Sequence, residues 1–469
     1  MRELLYEAAL AAARPVLRLA APFHPRLSAG VAGRAAAVPQ LAAWGAAHRR
    51  PSAPLVWVHA PSVGEALMAQ AILEALLARR PGVQIGFTWF STSAERVAAR
   101  VPADVRAYLP WDTRGPVRRA LDALRPDALV FVRTEIWPVL VREAAARGIP
   151  CALVNAVLSS GSSRASGPGR WALEPAYARL SAVGAVSDED AARFPALGVP
   201  PGRVRVTGDG RFDQVWARVH GERGGRAVRA AAPAPAPADA GAARGGTDAG
   251  AGRGAAARGA AHEPAAVAAV RQGPGPLLVA GSTWPADEAL LVRALAAVRG
   301  QHPLRAVIAP HEPTPAHLEG LDRTLDGAGL SHARLAAVEA GTPAPDVVVV
   351  DRVGVLADLY RAGSLAWVGG GFGTDGLHSV VEPAALALPV LFGPRLGNAR
   401  EAGALAAEGG GFVVRTAAEA EAALRRLLAD HAAREEAGRA AMGFVRARLG
   451  GAAANAALVA ELLDGRGEG

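Results

Sequence analysis

The sequence predicts an α/β fold of two doubly wound parallel-sheet domains, preceded by an apolar helix. Three observations predict it. From Leu55 to Val206, short β-rich apolar runs alternate with Ala/Leu/Arg stretches of helical period, the pattern of a parallel sheet covered by helices on both faces. A second series of the same kind begins at Leu277. Between them lies a stretch, Gly221 to Gly273, with almost no large apolar residue. A length of 469 residues suits two to three domains at roughly 100 to 200 residues each.

The N-terminal stretch, Leu4-Leu5-Tyr6-Glu7-Ala8 through Ala21-Pro22-Phe23, is apolar but interrupted by Glu7, Arg14, Pro15 and Arg18. A spanning helix needs ~20 mostly uncharged residues, so this one does not span. It also lacks the long apolar run and small-residue cleavage site of a secretory signal. Its apolar face, Leu4, Leu5, Ala8, Ala11 and Ala12 with Arg2, Arg14 and Arg18 nearby, suits a bilayer interface and equally a helix packed on the body of the protein.

Strands are expected at Leu55 to His59, Val83 to Thr88, Arg106 to Leu109, Ala128 to Val132, Cys151 to Asn155, Ala182 to Ser187 and Arg203 to Thr207. The helices among them include Ala66 to Arg80 and Val139 to Arg147. The second series places strands at Leu277 to Gly281, Arg305 to Ala309, Val347 to Asp351, Leu365 to Val368, Val390 to Phe392 and Phe412 to Val414, then helices Glu419 to Leu428 and Ala433 to Leu463. The expected organisation is a leader over 1–50, a first domain over 51–220, a flexible Ala/Pro/Gly/Arg insert over 221–274 and a second domain over 275–469. Facing each other, two such domains would put the carboxyl ends of both sheets on one cleft, where ligands of this class bind.

Composition narrows the chemistry. One cysteine, Cys151, excludes an intrachain disulfide and any Cys-rich metal site, so no oxidising compartment is needed. The net charge is +8 without a single lysine. Anionic ligands must therefore meet arginine forks or backbone N–H groups. Seven Arg against four acids fall between Gly221 and Pro274, so part of the excess lies in the insert. What remains suits an acidic substrate or anionic lipid better than nucleic acid, and the Gly-Arg repeats of the insert have no aromatics to stack bases.

Four loops that follow strands stand out. In His59-Ala60-Pro61-Ser62-Val63-Gly64-Glu65, Ser62 and Glu65 have capping-box spacing, and Glu65 is also placed to act as a general base on an acceptor hydroxyl. Arg133-Thr134-Glu135-Ile136-Trp137-Pro138 sets a carboxylate beside Trp-Pro directly after a buried strand. Thr207-Gly208-Asp209-Gly210-Arg211-Phe212-Asp213 brings a guanidinium to the edge of the first domain, or is a Gly-rich turn with a surface Arg-Asp pair. Gly369-Gly370-Gly371-Phe372-Gly373-Thr374-Asp375-Gly376, leading to Glu382-Pro383, is a glycine-rich loop that would let backbone N–H groups approach a phosphate at a helix N-terminus. It is not G-x-G-x-x-G, and no Walker lysine exists here. The eleven His form no H-E-x-x-H, so no metal site is expected, and Asp188-Glu189-Asp190 reads as the charged start of a helix.

These loops, in this order, resemble the 3-deoxy-D-manno-octulosonic acid (Kdo) transferases, which are GT-B glycosyltransferases with two Rossmann-like domains. Also similar are Asn155 to Ser159, Ala309-Pro310-His311-Glu312-Pro313, Phe392-Gly393-Pro394, and a leader ending near Gly33-Arg34 that looks like the family's membrane-associated one. The resemblance covers all but the insert. It implies inverting, metal-independent transfer of Kdo from CMP-Kdo to a lipid A precursor (lipid IVA) at the cytoplasmic face of the inner membrane, with no cofactor and no nucleic acid. It assigns Glu65 as general base, Glu135 and Arg211 as transition-state stabilisers, and Pro310, His311, Val353, Gly354, Val355, Ser379, Val380, Val381 and Glu382 to the CMP pocket.

The chain departs from the family pattern at four places. His311 stands where many members have Arg, Gly354-Val355 where many have Gly-Glu, and Ser379 where many have Asn. The Asn155 block lacks its Arg, Val157 standing there, and also the Arg that follows. Two other readings stand beside this one: a GT-B transferase that uses a UDP-sugar on a lipid acceptor, and a catalytically silent lipid-binding member.

Overall fold

The computed structural model describes residues 2–231, 264–397 and 399–465, and among these residues the strands form two sheets of seven, each parallel throughout. The first comprises β1 (Leu55–His59), β2 (Gln84–Trp89), β3 (Val105–Tyr108), β4 (Ala128–Val132), β5 (Cys151–Ala156), β6 (Ala182–Ala185) and β7 (Val204–Val206), in the order β3-β2-β1-β4-β5-β6-β7. The second comprises β8 (Leu277–Thr283), β9 (Arg305–Pro310), β10 (His332–Arg334), β11 (Val347–Val349), β12 (Leu365–Val368), β13 (Val390–Phe392) and β14 (Gly411–Val413), in the order β10-β11-β9-β8-β12-β13-β14. The central strands β1, β4 and β5 are buried along their whole length, because helices cover both faces. Trp57 and Phe131 lie in the first core and Trp367 in the second. Cys151 is buried in β5, and burial pushes its thiol up to about 12, as befits a core residue.

Each sheet has one place where the chain reverses its direction of travel across the strands. In the first it lies between β1 and β4, in the second between β8 and β12. Loops at the carboxyl ends of those strands are where open α/β sheets bind ligands. The sequence reading misses only β10. Its three half-buried residues, His-Ala-Arg, pair on one side at a sheet edge and leave no apolar run to detect.

The described residues divide into two units, one of residues up to 231 with 448–465, the other from 264 to 447. The second domain therefore stops short of the expected 275–469. The single helix expected over Ala433 to Leu463 is two, His431–Arg446 and Gly451–Asp464, broken at Gly450 with φ +106°. The last helix packs on the first core through Ala452, Ala456, Leu458, Val459 and Ala460. A Cβ on Gly451 would come within 2.7 Å of the Asp209 carbonyl carbon, so only glycine lets this helix approach so closely.

The leader is two helices, Arg2–Ala20 and Pro25–His48, joined through Ala21–Phe23. The second packs on β3 and on the helix Arg114–Leu124. Its buried Arg34 donates to the carbonyls of Gly30 at 2.8 Å and Phe90 at 2.9 Å and lies over the Phe90 ring at 3.9 Å. No helix among the described residues is long and apolar enough to cross a membrane. The core of the expected insert, 232–263, lies outside the described residues. Its C-terminal part departs from the expectation: Ala265–Arg271 is a helix with Ala266, Val267, Ala269 and Val270 buried, because the run AAVAAV supplies the apolar face that the rest lacks.

Candidate active site

In the first unit, the loops after β1 and β4 flank the reversal point, and each carries a carboxylate. Ser62 precedes the helix Val63–Arg79, but its side chain caps no backbone amide, so the expected capping box is not formed. Its hydroxyl instead donates to the Glu65 carboxylate. Glu135 follows β4 directly and is half-buried. Burial raises its carboxyl above the ordinary range, the nearby Arg164 guanidinium lowers it in part, and the Glu65 charge raises it further. The fold thus brings Glu65 and Glu135 into electrostatic reach of each other.

Aromatic rings in and beside these two loops pack on one another. Trp137 stands edge-on to His59 with ring centroids 6.0 Å apart, and stacks on Phe90 at 5.2 Å. His59 is fully buried, its Nδ1 3.1 Å from Thr88 Oγ1. Burial, with the Arg34 charge adding to it, holds its pKa at about 3, so the imidazole stays neutral.

Arg211 follows β7. Its Nε donates to Asp209 Oδ2 at 2.7 Å and its backbone N–H to Oδ1 at 2.9 Å, so the pair is a built ion pair on a buried carboxylate. Burial by itself would raise the Asp209 carboxyl, but the charge and hydrogen bonds of Arg211, with Arg133, hold it below the ordinary range. Asn155 joins the cluster, its Oδ1 accepting from the Gly210 N–H at 2.6 Å and its Nδ2 donating to Asp209 at 3.3 Å. Arg133 and Asn155, at the ends of the neighbouring strands β4 and β5, both have left-handed backbones, with φ of +80° and +52°. Strain of this kind at adjacent strand ends is typical of functional loops.

In the second unit, the segments expected to hold CMP follow β9, β11 and β12, which with β8 occupy adjacent places in the sheet. Pro310 closes β9. His311 is exposed and stacks between Trp284, at 5.0 Å, and His378, at 4.4 Å. Ser379 follows that stack, exposed, its hydroxyl accepting from Val381 N at 3.4 Å. Val380 and Val381 are buried and Glu382 is half-buried. Val353 is 72% exposed and Gly354 turns the chain at φ +94° before Val355, so this segment follows β11 as an open loop. Burial, with the His311 charge, holds His378 at about 4. Glu288, buried on the helix after β8, accepts from Thr283 Oγ1 at 2.7 Å and faces His317 Nε2 at 3.0 Å; His317 Nδ1 lies 3.0 Å from the Glu312 carbonyl, tying the His311 loop to β8.

In the glycine-rich loop the first two amides are already engaged: the N–H groups of Gly369 and Gly370 donate to Gly281 O and to Asp287 Oδ2, both at 2.9 Å, and the helix that follows, Val381–Ala385, has five residues. These glycines serve close packing: a Cβ on Gly369 would lie 2.2 Å from Ser282 O. Asp287, Trp284, His378 and Arg164 were not singled out as site residues from sequence. For the first, the acidic pair Asp287-Glu288 just inside a helix start was the available signal; Arg164 sits in a loop with no pattern to mark it. Among the described residues, no group of three or more His, Cys, Asp or Glu is placed to hold a metal ion.

Residues 35–214 match the family described as 3-deoxy-D-manno-octulosonic-acid transferase (kdotransferase). A 3-deoxy-D-manno-octulosonic acid transferase of Bordetella pertussis is 32% identical over 427 residues, spanning 87% of this chain and 88% of that one. The chain belongs to the Kdo transferase family. It is a glycosyltransferase, and the Kdo transferase of Haemophilus influenzae is 24% identical over 82% of each chain. The GT-B-like architecture of this Kdo transferase also matches solved structures at low identity. UDP-GlcNAc 2-epimerase from Neisseria meningitidis, bound to UDP-GlcNAc, aligns with a TM-score of 0.56 at 12% identity over 88% of this chain and all of that one. A glycosyltransferase from Rickettsia africae aligns at 0.52 and 9% identity over 88% of this chain and 98% of that one. At such identities these structures show the fold alone.

Proposed function

We propose that this Kdo transferase takes Kdo from CMP-Kdo and delivers it to a lipid A precursor, lipid IVA, with inversion and without a metal, at the cytoplasmic face of the inner membrane. The observation that carries the reading is the Glu65/Glu135 pair on the two loops at the reversal point of the first sheet, each within reach of the other's charge.

Glu65 accepts the proton of the acceptor hydroxyl as its oxygen attacks the anomeric carbon of Kdo. The bond from that carbon to the CMP phosphate breaks in the same displacement, and CMP leaves with the electron pair. The Ser62 hydroxyl orients the Glu65 carboxylate for this task. Glu135 stabilises charge building on the sugar, with Arg164 beside it. The guanidinium of Arg211, fixed by Asp209, meets the carboxylate of Kdo or the departing phosphate. Pro310, His311, Val353 to Val355 and Ser379 to Glu382 hold the cytidine nucleotide in the second unit. The exposed apolar side chains Val16, Leu19 and Phe23 on the leader, 64%, 76% and 80% accessible, with Arg18 and Arg26 beside them, support a membrane-facing role.

The test is release of CMP from CMP-Kdo in the presence of lipid IVA, comparing wild type with Glu65→Gln and Glu65→Ala. Loss of the base should lower turnover by roughly 10²- to 10⁴-fold. Because Ser62 and Glu65 form no capping box, melting temperatures should stay close to wild type. Turnover by Glu65→Ala near the wild-type rate would refute the base assignment. Turnover of UDP-sugars in place of CMP-Kdo would replace the donor.

A further inference from the structure

The segment that follows β2 touches both carboxylate loops. The N–H groups of Phe90 and Ser91 donate to the Pro61 carbonyl at 3.3 and 2.8 Å. Pro61 directly precedes Ser62, whose hydroxyl donates to the Glu65 carboxylate. The Phe90 ring in turn stacks on Trp137, with centroids 5.2 Å apart and an interplanar angle of 29°. Trp137 stands two residues after Glu135 and is the N-cap residue of the helix Pro138–Ala145. Phe90 and Ser91 therefore bridge the loop after β1 to the loop after β4.

The bridge is itself held by the leader. Arg34, 8% exposed on the helix Pro25–His48, donates from Nη2 to the Phe90 carbonyl at 2.9 Å and lays its guanidinium over the Phe90 ring at 3.9 Å. Its Nη1 donates to Gly30 O at 2.8 Å, and the ring centroids of Trp111 and Tyr108 lie 5.5 and 5.9 Å from its Cζ. Among the described residues no carboxylate pairs with this guanidinium. A buried cation without a counter-ion is costly, and an apolar side chain of similar length would fill the same space at less cost. A planar fork can donate to the Phe90 carbonyl and stack on the ring of the same residue at once, which an ammonium group cannot. The cost of burying Arg34 and its geometry together point to a task beyond packing, the holding of Phe90.

We propose that Arg34 is a positioning residue for the reaction: by clamping Phe90 at its carbonyl and its ring it sets the spacing of the Glu65 and Glu135 loops, a role that rests on those given to the two carboxylates above. The contacts of Arg34 reach neither carboxylate. Its effect passes through Phe90 to Pro61 on one loop and to Trp137 on the other. The leader is then more than an attachment device, because its second helix supplies the clamp.

The experiment uses the full chain carrying Arg34→Lys, which keeps the charge and loses the fork, Phe90→Leu, which keeps the backbone bonds and loses the ring, and the two together. Amide hydrogen exchange reads the bridge without any substrate, and steady-state Kdo transfer separates kcat from KM. Expected for Arg34→Lys are faster exchange at Phe90 and Ser91, with β5 unchanged, and a kcat lower by roughly tenfold at an unaltered donor KM. Phe90→Leu, at a residue 39% exposed, should fold as wild type does and lower kcat by roughly two- to tenfold, again without moving the donor KM. The double variant should lose no more than the larger single loss, since both changes cut one path. Losses that multiply overturn the proposal, because the two side chains would then act independently. Wild-type exchange at Phe90 and Ser91 in Arg34→Lys overturns it too, as does an unchanged kcat in either single variant. Should Arg34→Lys fail to fold, kcat in Phe90→Leu decides alone. If the wild-type chain itself transferred no Kdo, the proposed reaction would fall, while exchange at Phe90 and Ser91 would still decide whether Arg34 holds the bridge.

Discussion

The backbone N–H of Asn155 donates to Asn455 Oδ1 at 3.0 Å, a fully buried hydrogen bond that joins the end of β5 to the final helix across 300 residues of sequence. The same oxygen accepts from Thr207 Oγ1 at 3.0 Å, and Asn455 Nδ2 returns to Gly451 O at 2.7 Å. Asp213 completes the joint by accepting from Gly450 N and Ala452 N at the start of that helix, at 2.7 and 2.9 Å. The loop from Thr207 to Arg211 is thus held by the last helix among the described residues.

Asn455→Leu keeps the branched shape at a larger volume and leaves one buried donor, Asn155 N, without its acceptor, while the Thr207 hydroxyl keeps Ala185 O at 3.4 Å. A buried donor left unpaired costs about 1 to 3 kcal/mol. The expected outcome is a loss of about 2 kcal/mol in unfolding free energy measured by urea, together with slower Kdo transfer at temperatures where the variant remains folded. A variant as stable as wild type would show that the joint relaxes without penalty.

Stability should depend on pH through Asp287. It is buried, and burial together with the Glu288 charge raises its carboxyl to about 6 from 3.8, even though the amides of Trp284 and Gly370 lower it. A raised carboxyl in the folded state favours the protonated form. Its contribution is therefore fully present below the unfolded value and is lost as the pH rises through about 6. Asp287→Asn should remove that loss. Relative to wild type it gains stability at pH 8, by at most about 3 kcal/mol, and the gain vanishes toward pH 4. Urea melts at the two pH values decide it, and a difference independent of pH would contradict the assignment.

His311 stands where a guanidinium would serve an anionic donor better. In His311→Arg the new side chain can stack on Trp284 as the imidazole does and add a fork toward phosphate or carboxylate. The donor KM should fall by roughly fivefold, with kcat little changed. A rise in KM would show that the stack with His378 is itself the recognition element.

The leader should bind membrane through its outward face. Combined Val16→Ser, Leu19→Ser and Phe23→Ser removes three exposed apolar side chains, each worth roughly 1.5 to 3 kcal/mol when buried in lipid. Sedimentation with anionic vesicles should weaken at least about tenfold, while the melting temperature stays close to wild type. Unchanged vesicle binding would move the membrane contact elsewhere on the molecule.

Much of this fold was legible because its signals are local. A buried parallel strand is a short apolar run bounded by polar loops, so most strand boundaries read from sequence fall within a residue or two of those observed, and the loops after β1 and β4 were marked by polar residues that follow such runs directly. The capping box was misread because spacing alone cannot tell whether Ser62 turns to an amide or to the Glu65 carboxylate. The engagement of Gly370 was not legible, because a glycine run looks the same whether its amides face a ligand or, as at Gly370, a buried Asp287.

The sequence by itself determined two doubly wound units, the carboxylates that follow their strands, and family membership, since each depends on residues close together in the chain or on spaced blocks. Only the tertiary structure decided that residues 448–465 return to the first unit, that Asn455 holds the Arg211 loop, that Arg164 lies near Glu135, and that Glu7 of the leader accepts from Arg142. Those relations join residues tens to hundreds of positions apart. They arise from the closure of buried polar networks, where each donor takes whichever acceptor the packed core brings within about 3 Å, and no local pattern encodes that choice.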